Sequence, residues 1–187
     1  MSQSLTGIPV AILATDGFEE SELAVPRSML DQQGIEVHIV APKHGTIRAW
    51  AETQWGDEYT VDKSLDEVSS HDYHALVLPG GVINPDSLRT DEKAMTFVRG
   101  FFEEGKPVGA ICHAAWTLIN AGVVEGRRMT SIPSLRKDLE NAGAKWEDSE
   151  VVCDSALVTS RKPADLDAFC NKLIEEIREG RHRKQHA

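Results

Sequence analysis

The sequence predicts a doubly wound α/β sandwich, with a mostly parallel central sheet and helices on both faces. Short β-rich apolar runs alternate along the chain with amphipathic helical patterns. Several of the runs are apolar at every position, as strands buried on both faces must be. Glycines or prolines punctuate the boundaries, as in the Gly105-Lys106-Pro107 step from helix to strand. At 187 residues the chain is long enough for one domain with a full core. That domain is expected over residues 1–187, with its core at about 8–177 and a basic tail from 178.

Residues 10–14 (VAILA) form the first predicted strand, and a helix follows over 19–33. Pro26 lies inside that helix and should kink it or delay its regular part. A strand follows at 37–40. Between 43 and 63 the alternation fails, and Gly45, Gly56, Trp50 and Trp55 suggest a hairpin lying off the main sheet. The next strand is 75–78. Over 91–104, Ala94, Phe97, Val98, Phe101 and Phe102 repeat at i, i+3, i+4, i+7 and i+8, one face of a helix. Strand 108–111 leads to a helix over 113–121, closed by Gly122. A further helix over 134–142 is closed by Gly143, and 156–159 is the last strand. Pro163 opens the final helix, whose stripe is Leu166, Phe169, Cys170, Leu173, Ile174 and Ile177.

Composition limits the function. A net charge of −10 argues against general affinity for nucleic acid or anionic lipid. Arg178, Arg181, Arg183 and Lys184 read as a frayed end. No stretch is long and apolar enough to span a bilayer, and MSQSLTG lacks the pattern of a signal peptide. Three widely spaced cysteines point to a reducing cytoplasm and free thiols. His71 and His74 have metal spacing without a completing ligand, and His182 and His186 fall in the tail, so no metal is expected. Neither G-x-G-x-x-G nor a Walker pattern occurs, so no nucleotide cofactor is expected.

In open α/β sheets, sites gather beyond the carboxyl ends of the strands. Three loops there carry unusual content: Thr15–Glu20, Pro79-Gly80-Gly81 running on to Asp86, and Cys112-His113. Cys112 closes a strand just before a helix, so its side chain should project from a tight turn as the nucleophile of an elbow does. The positive end of the following helix would favour its thiolate. Cys153 and Cys170 lie in a short strand-like run and on a helix stripe, and read as structural. His113 could act as a base if another group orients its ring. Gly80 and Gly81 offer backbone N–H groups for an oxyanion.

The segments Phe18-Glu19, LVLPGG (76–81), GKPVGAICH (105–113) and Ala121-Gly122-Val123 together resemble the PfpI intracellular protease family, within the class I glutamine-amidotransferase-like superfamily. Thr130-Ser131, Asn141-Ala142-Gly143, Glu150-Val151-Val152 and Thr159–Leu166 fit as well, and the likeness spans about residues 8–177. The resemblance implies a flavodoxin-like sandwich with Cys112 as nucleophile. It implies that Glu19 hydrogen-bonds the sulfur, and that Gly81 and His113 supply oxyanion N–H groups. It also implies a site at a subunit interface, where an acid from a neighbouring chain orients His113; the matching position is Asp86. The assembly expected is a homodimer, or a hexamer built of dimers. Ala114 stands where many relatives have glycine and could narrow the pocket, which Trp116 also shapes. No downstream H-x-E pair is present, so glutaminase activity is not expected. The expected function is a cysteine-dependent hydrolase of the stress-protective kind, without cofactor. It would act on a small dicarbonyl adduct, as a deglycase or glyoxalase does, or on a peptide bond. The alternative is a non-enzymatic redox sensor or chaperone that works by oxidation of Cys112.

Overall fold

A computed structural model of the chain describes residues 4–182. Strand β1 (Pro9–Leu13) leads through the two-residue β2 (Phe18–Glu19) into α1 (Glu20–Gln32). Then come β3 (Glu36–Ala41), β4 (Thr46–Ala51), β5 (Gln54–Thr60), β6 (Lys63–Ser64) and β7 (Ala75–Leu78). Helices α2 (Ile83–Leu88) and α3 (Glu92–Glu103) precede β8 (Val108–Ile111), a 3-10 turn at Cys112–Ala114 and α4 (Ala115–Ala121). The remainder is β9 (Arg128–Met129), α5 (Arg136–Asn141), β10 (Lys145–Trp146), β11 (Val152–Asp154), β12 (Leu157–Ser160) and α6 (Leu166–Glu179).

The central sheet has the order β11-β12-β8-β7-β1-β3-β6, parallel throughout except for β11, which runs antiparallel to β12. Its four central strands β8, β7, β1 and β12 are almost wholly buried, the environment that their unbroken apolar sequences require. Alternate residues feed two separate cores. Ala11, Leu13, Leu76, Leu78, Val108 and Ala110 join the phenylalanines of α3 and the apolar residues of α4 and α5. Val10, Ile12, Ala75, Val77 and Ile111 join Leu23 and Leu30 of α1 and the stripe of α6. The structure therefore has the flavodoxin-like doubly wound arrangement, with helices on both faces.

Several local features refine the sequence reading. The disturbed stretch 43–63 contains the β4–β5 hairpin, which turns at Glu52 with a left-handed φ of 57°. With β2, the hairpin makes a separate three-stranded sheet. Helix α1 continues past Pro26 to Gln32, so the proline does not end it. The segment after Pro79-Gly80-Gly81 contains a helix, α2, which its short length and Asn84-Pro85 had hidden; proline is tolerated in a first turn. Helix α6 runs to Glu179, and Arg178 donates to Gln33 Oε1 at 2.7 Å, so Arg178 is part of the helix and not of a frayed end. Arg183, Lys184 and His186 lie outside the described residues.

Candidate active site

The chain leaves β1 toward β3 on one side and later returns to β7 on the other, so the order of strands reverses between β1 and β7. Crevices at such a reversal are where open α/β sheets bind ligands. The loops after β1, β7 and β8 converge there. Asn84, fully buried, ties the first two together. Its Oδ1 accepts from Thr15 N–H at 2.8 Å, and its Nδ2 donates to the carbonyls of Pro79 and Gly80 at 3.0 and 3.1 Å.

Cys112 has φ +62°, a left-handed conformation that costs a non-glycine residue on the order of 1–3 kcal/mol. Strain at that position is what turns the sulfur out of the strand while the backbone enters the 3-10 turn. The sulfur lies 3.2 Å from His113 Nδ1. The two neighbouring side chains do meet, although neighbours often leave a turn in different directions. The His113 ring is half-buried and packs against Trp116 at 5.2 Å between centroids. Burial holds its pKa below the ordinary histidine value, so the imidazole is neutral and can accept a proton.

The carboxyl beside the sulfur belongs to Glu22, one turn beyond Glu19. Glu22 is fully buried on the apolar face of α1, next to Leu23 and in line with Pro26 and Leu30. Its Oε2 accepts from Gly80 N–H at 2.7 Å, while Oε1 has no nitrogen or oxygen partner among the described residues. Burial pushes the Glu22 pKa up to about 8, so the group is chiefly a neutral carboxylic acid at pH 7. Burial and the nearby Glu22 also push the Cys112 thiol up, against the lowering effect of the His113 and Gly81 N–H groups. The helix end therefore does not by itself make the thiolate stable. The two acids titrate as a pair, and a protonated Glu22 relieves the repulsion that a thiolate would meet.

Glu19 is the residue preceding α1 and is only half-buried. Its N–H donates to Gly80 O at 3.4 Å, and its carboxyl accepts from the backbone of Glu52. Burial raises its pKa, and its charge adds to the pressure on Glu22. Among the loop glycines, Gly80 has its N–H engaged by Glu22, whereas the N–H of Gly81 is directed at the sulfur. Neither position has room for a side chain. A Cβ on Gly80 would lie 2.6 Å from Glu22 Oε2 and 2.7 Å from Cys112 Cβ, and one on Gly81, at φ +78°, would lie 2.5 Å from Gly17 O.

Trp116 is fixed at the rim. Its Nε1 donates to Asp138 Oδ2 at 3.0 Å, and the Arg89 guanidinium lies 5.2 Å over its ring. Ala114 is buried in the core against α3 and α4, on the opposite face of the sheet from Cys112. Asp86 is exposed on α2, beside the exposed Val82 and Ile83. Cys170 is buried in α6, and Cys153 lies on β11. A cleft of about 490 Å³ between α3 and residues 65–71 includes none of the three converging loops.

No helix among the described residues is long and apolar enough to cross a membrane. The sequence pattern of the DJ-1/PfpI family matches residues 9–176. A deglycase of Thermococcus kodakarensis is 42% identical over 169 residues, covering 90% of this chain and 99% of that protein. General stress protein 18 of Bacillus subtilis is 42% identical over 165 residues, covering 87% of this chain and 94% of that one. Among solved structures, Drosophila melanogaster DJ-1beta superposes with a TM-score of 0.84 at 27% identity, covering 92% of this chain and 91% of that one. With the family pattern running from β1 to α6 and relatives of this identity matching nearly end to end, the chain belongs to the DJ-1/PfpI family.

Proposed function

We propose that this chain is a cysteine-dependent hydrolase whose nucleophile is Cys112, acting on the carbonyl carbon of a small dicarbonyl adduct. The observation that carries this reading is the placement of one strained cysteine between two proton-handling groups: a neutral imidazole 3.2 Å away and a buried, protonated carboxyl. In the first step the sulfur adds to the carbonyl carbon as the thiol proton passes to His113 Nδ1. The carbonyl π pair moves onto oxygen, where the N–H groups of Gly81 and His113 can receive the charge. At an amide carbonyl the imidazolium returns its proton to the amine as the C–N bond breaks, and water hydrolyses the thioester left on the sulfur. At the aldehyde or ketone carbon of a dicarbonyl no bond to that carbon breaks, and the proton goes to the oxyanion to give a hemithioacetal. This becomes a thioester only when its C–H proton is transferred to the neighbouring carbonyl-derived carbon, after which water releases the sulfur. Glu22, held by Gly80 and kept chiefly neutral by its burial, places little opposing charge beside the sulfur as charge develops there. A peptide bond could undergo the same sequence of steps. Small adducts are favoured because the crevice is framed by three short loops and the rim residue Trp116. The names of the deglycase and stress-protein relatives agree with this class of substrate and with a stress-protective role.

The working assembly under this reading is a homodimer. Val82 and Ile83 are 54% and 42% exposed beside the site, an apolar pair that a second copy would cover. Asp86 on the same helix would then face the partner's site and orient the partner's imidazole. The test is a panel of methylglyoxal, glycated amino acids and fluorogenic peptides, with Cys112→Ser as blank. Turnover of an adduct or dicarbonyl that Cys112→Ser abolishes supports the reading. Turnover unchanged in that variant refutes it, and no turnover alongside rapid peroxide oxidation confined to Cys112 favours a redox sensor.

A further inference from the structure

The end of α6 brings together three groups far from the Cys112 loops. Glu176 and Glu179 share one face of the last turn, and Gly180, at φ 82° and ψ −140°, turns the chain so that His182 folds back over them. His182 is held in place by its backbone, whose N–H donates to Gly105 O at 2.8 Å. Gly105, at φ +66°, could carry no side chain there, because a Cβ would lie 2.5 Å from His182 O. Gly105 precedes the amino end of β8, whereas Cys112 follows its carboxyl end, so the cluster sits at the opposite edge of the sheet from the candidate active site.

We propose that Glu176, Glu179 and His182 form a site for a divalent transition-metal ion of the zinc type. One atom from each residue lies within 4.8 Å of the others. His182 Nε2 is 3.1 Å from Glu176 Oε2 and 3.6 Å from Glu179 Oε2. Ligands about 2.0–2.2 Å from a common ion stand roughly 3.0–3.5 Å from one another, so the spacing suits a shared centre. A second observation separates this from a simple ion pair. Glu176 is 3% exposed, yet its Oε2 has no aligned hydrogen bond among the described residues, and neither has His182 Nε2, although the two atoms are neighbours. A protonated imidazole clasping the carboxylate would be expected to aim its N–H at the oxygen. Lys172 Nζ holds the other oxygen of Glu176 at 2.9 Å, which leaves Oε2 as a single-oxygen donor. Cys153 of β11 also meets Glu176. The carbonyl end of α6 adds negative potential, and half-exposed Glu179 leaves water free to complete the coordination.

The experiment is a titration of the full-length protein, stripped of metal by chelation, with Co²⁺ and then Zn²⁺. It is run on the wild type and on Cys112→Ser, which removes any thiolate site. The expected result is one Co²⁺ per chain with visible d–d absorption and no sulfur charge-transfer band, unchanged in Cys112→Ser and displaced by Zn²⁺. His182→Asn and Glu179→Gln, both at partly exposed positions, should each weaken binding by at least about tenfold while leaving the metal-free circular dichroism unchanged. The proposal is overturned if the wild type binds no Co²⁺, if its spectrum disappears in Cys112→Ser, or if the doubly substituted His182→Asn, Glu179→Gln protein binds as tightly as the wild type.

Discussion

Replacing Glu22 by glutamine tests the central electrostatic feature of the site without emptying it. Glutamine has the same shape and can still accept from the Gly80 N–H, but it does not titrate. In the wild type Glu22 has a folded-state pKa of about 8 against 4.5 when unfolded. Below pH 4.5 both states hold the proton, and the stabilising effect of the neutral buried acid is complete. As pH rises toward 8 the unfolded chain ionises while the folded one does not, so this contribution is lost across that window. A gap of about 3.5 units at about 1.4 kcal/mol each gives on the order of 4–5 kcal/mol as an upper figure. Urea unfolding of wild type and Glu22→Gln at intervals from pH 4.5 to 8.5 measures it, since the groups other than Glu19 and Cys112, which are coupled to Glu22, titrate alike in both proteins. The variant should gain several kcal/mol relative to wild type between the two ends of the range. Parallel profiles, differing by less than about 1 kcal/mol in slope across the range, would refute a buried protonated carboxyl beside Cys112.

Gly81→Ala should lose activity and about 1–3 kcal/mol of stability, because it adds left-handed strain and a contact with Gly17 O; thermal melting and the adduct assay on one preparation would show both. Mixing Asp86→Ala with Cys112→Ala subunits should restore part of the activity if each site borrows its acid from the partner. Exchange verified by mass spectrometry with no recovery would count against that arrangement.

The fold was largely legible in the sequence because its strands are apolar on both faces, a pattern that few architectures other than a helix-covered parallel sheet can bury. The placement of Cys112 at the turn after β8 was legible for a related reason. A cysteine that ends such a strand, and does not lie within it, has to project from the turn. Glu22 was harder to find. Acids crowd the first turn of α1, where the helix dipole favours them anyway, so Glu19, Glu20 and Glu22 look alike in composition. What distinguishes Glu22 is its position on the apolar face with Leu23, Pro26 and Leu30, a signal present in the spacing but weak over so short a stretch. His182 was illegible for a different reason. Its placement depends on Gly105, which is remote in sequence, and no local pattern encodes that contact. The antiparallel direction of β11 is likewise set by its pairing with β12 and not by its own three residues.

The amide of Asn84 has a consequence for how the site responds to substrate. Because one side chain bonds to Thr15, Pro79 and Gly80 together, the loops after β1 and β7 cannot open separately. Displacing either would strand buried polar atoms of the other, so the two behave as one stiff wall of the crevice. Under the proposed reaction, such a wall would already be in its reacting shape before a carbonyl arrives. Little ordering would remain to be done on binding, and the chemistry would be open to any small molecule that fits. Selectivity then has to come from what the rigid crevice excludes.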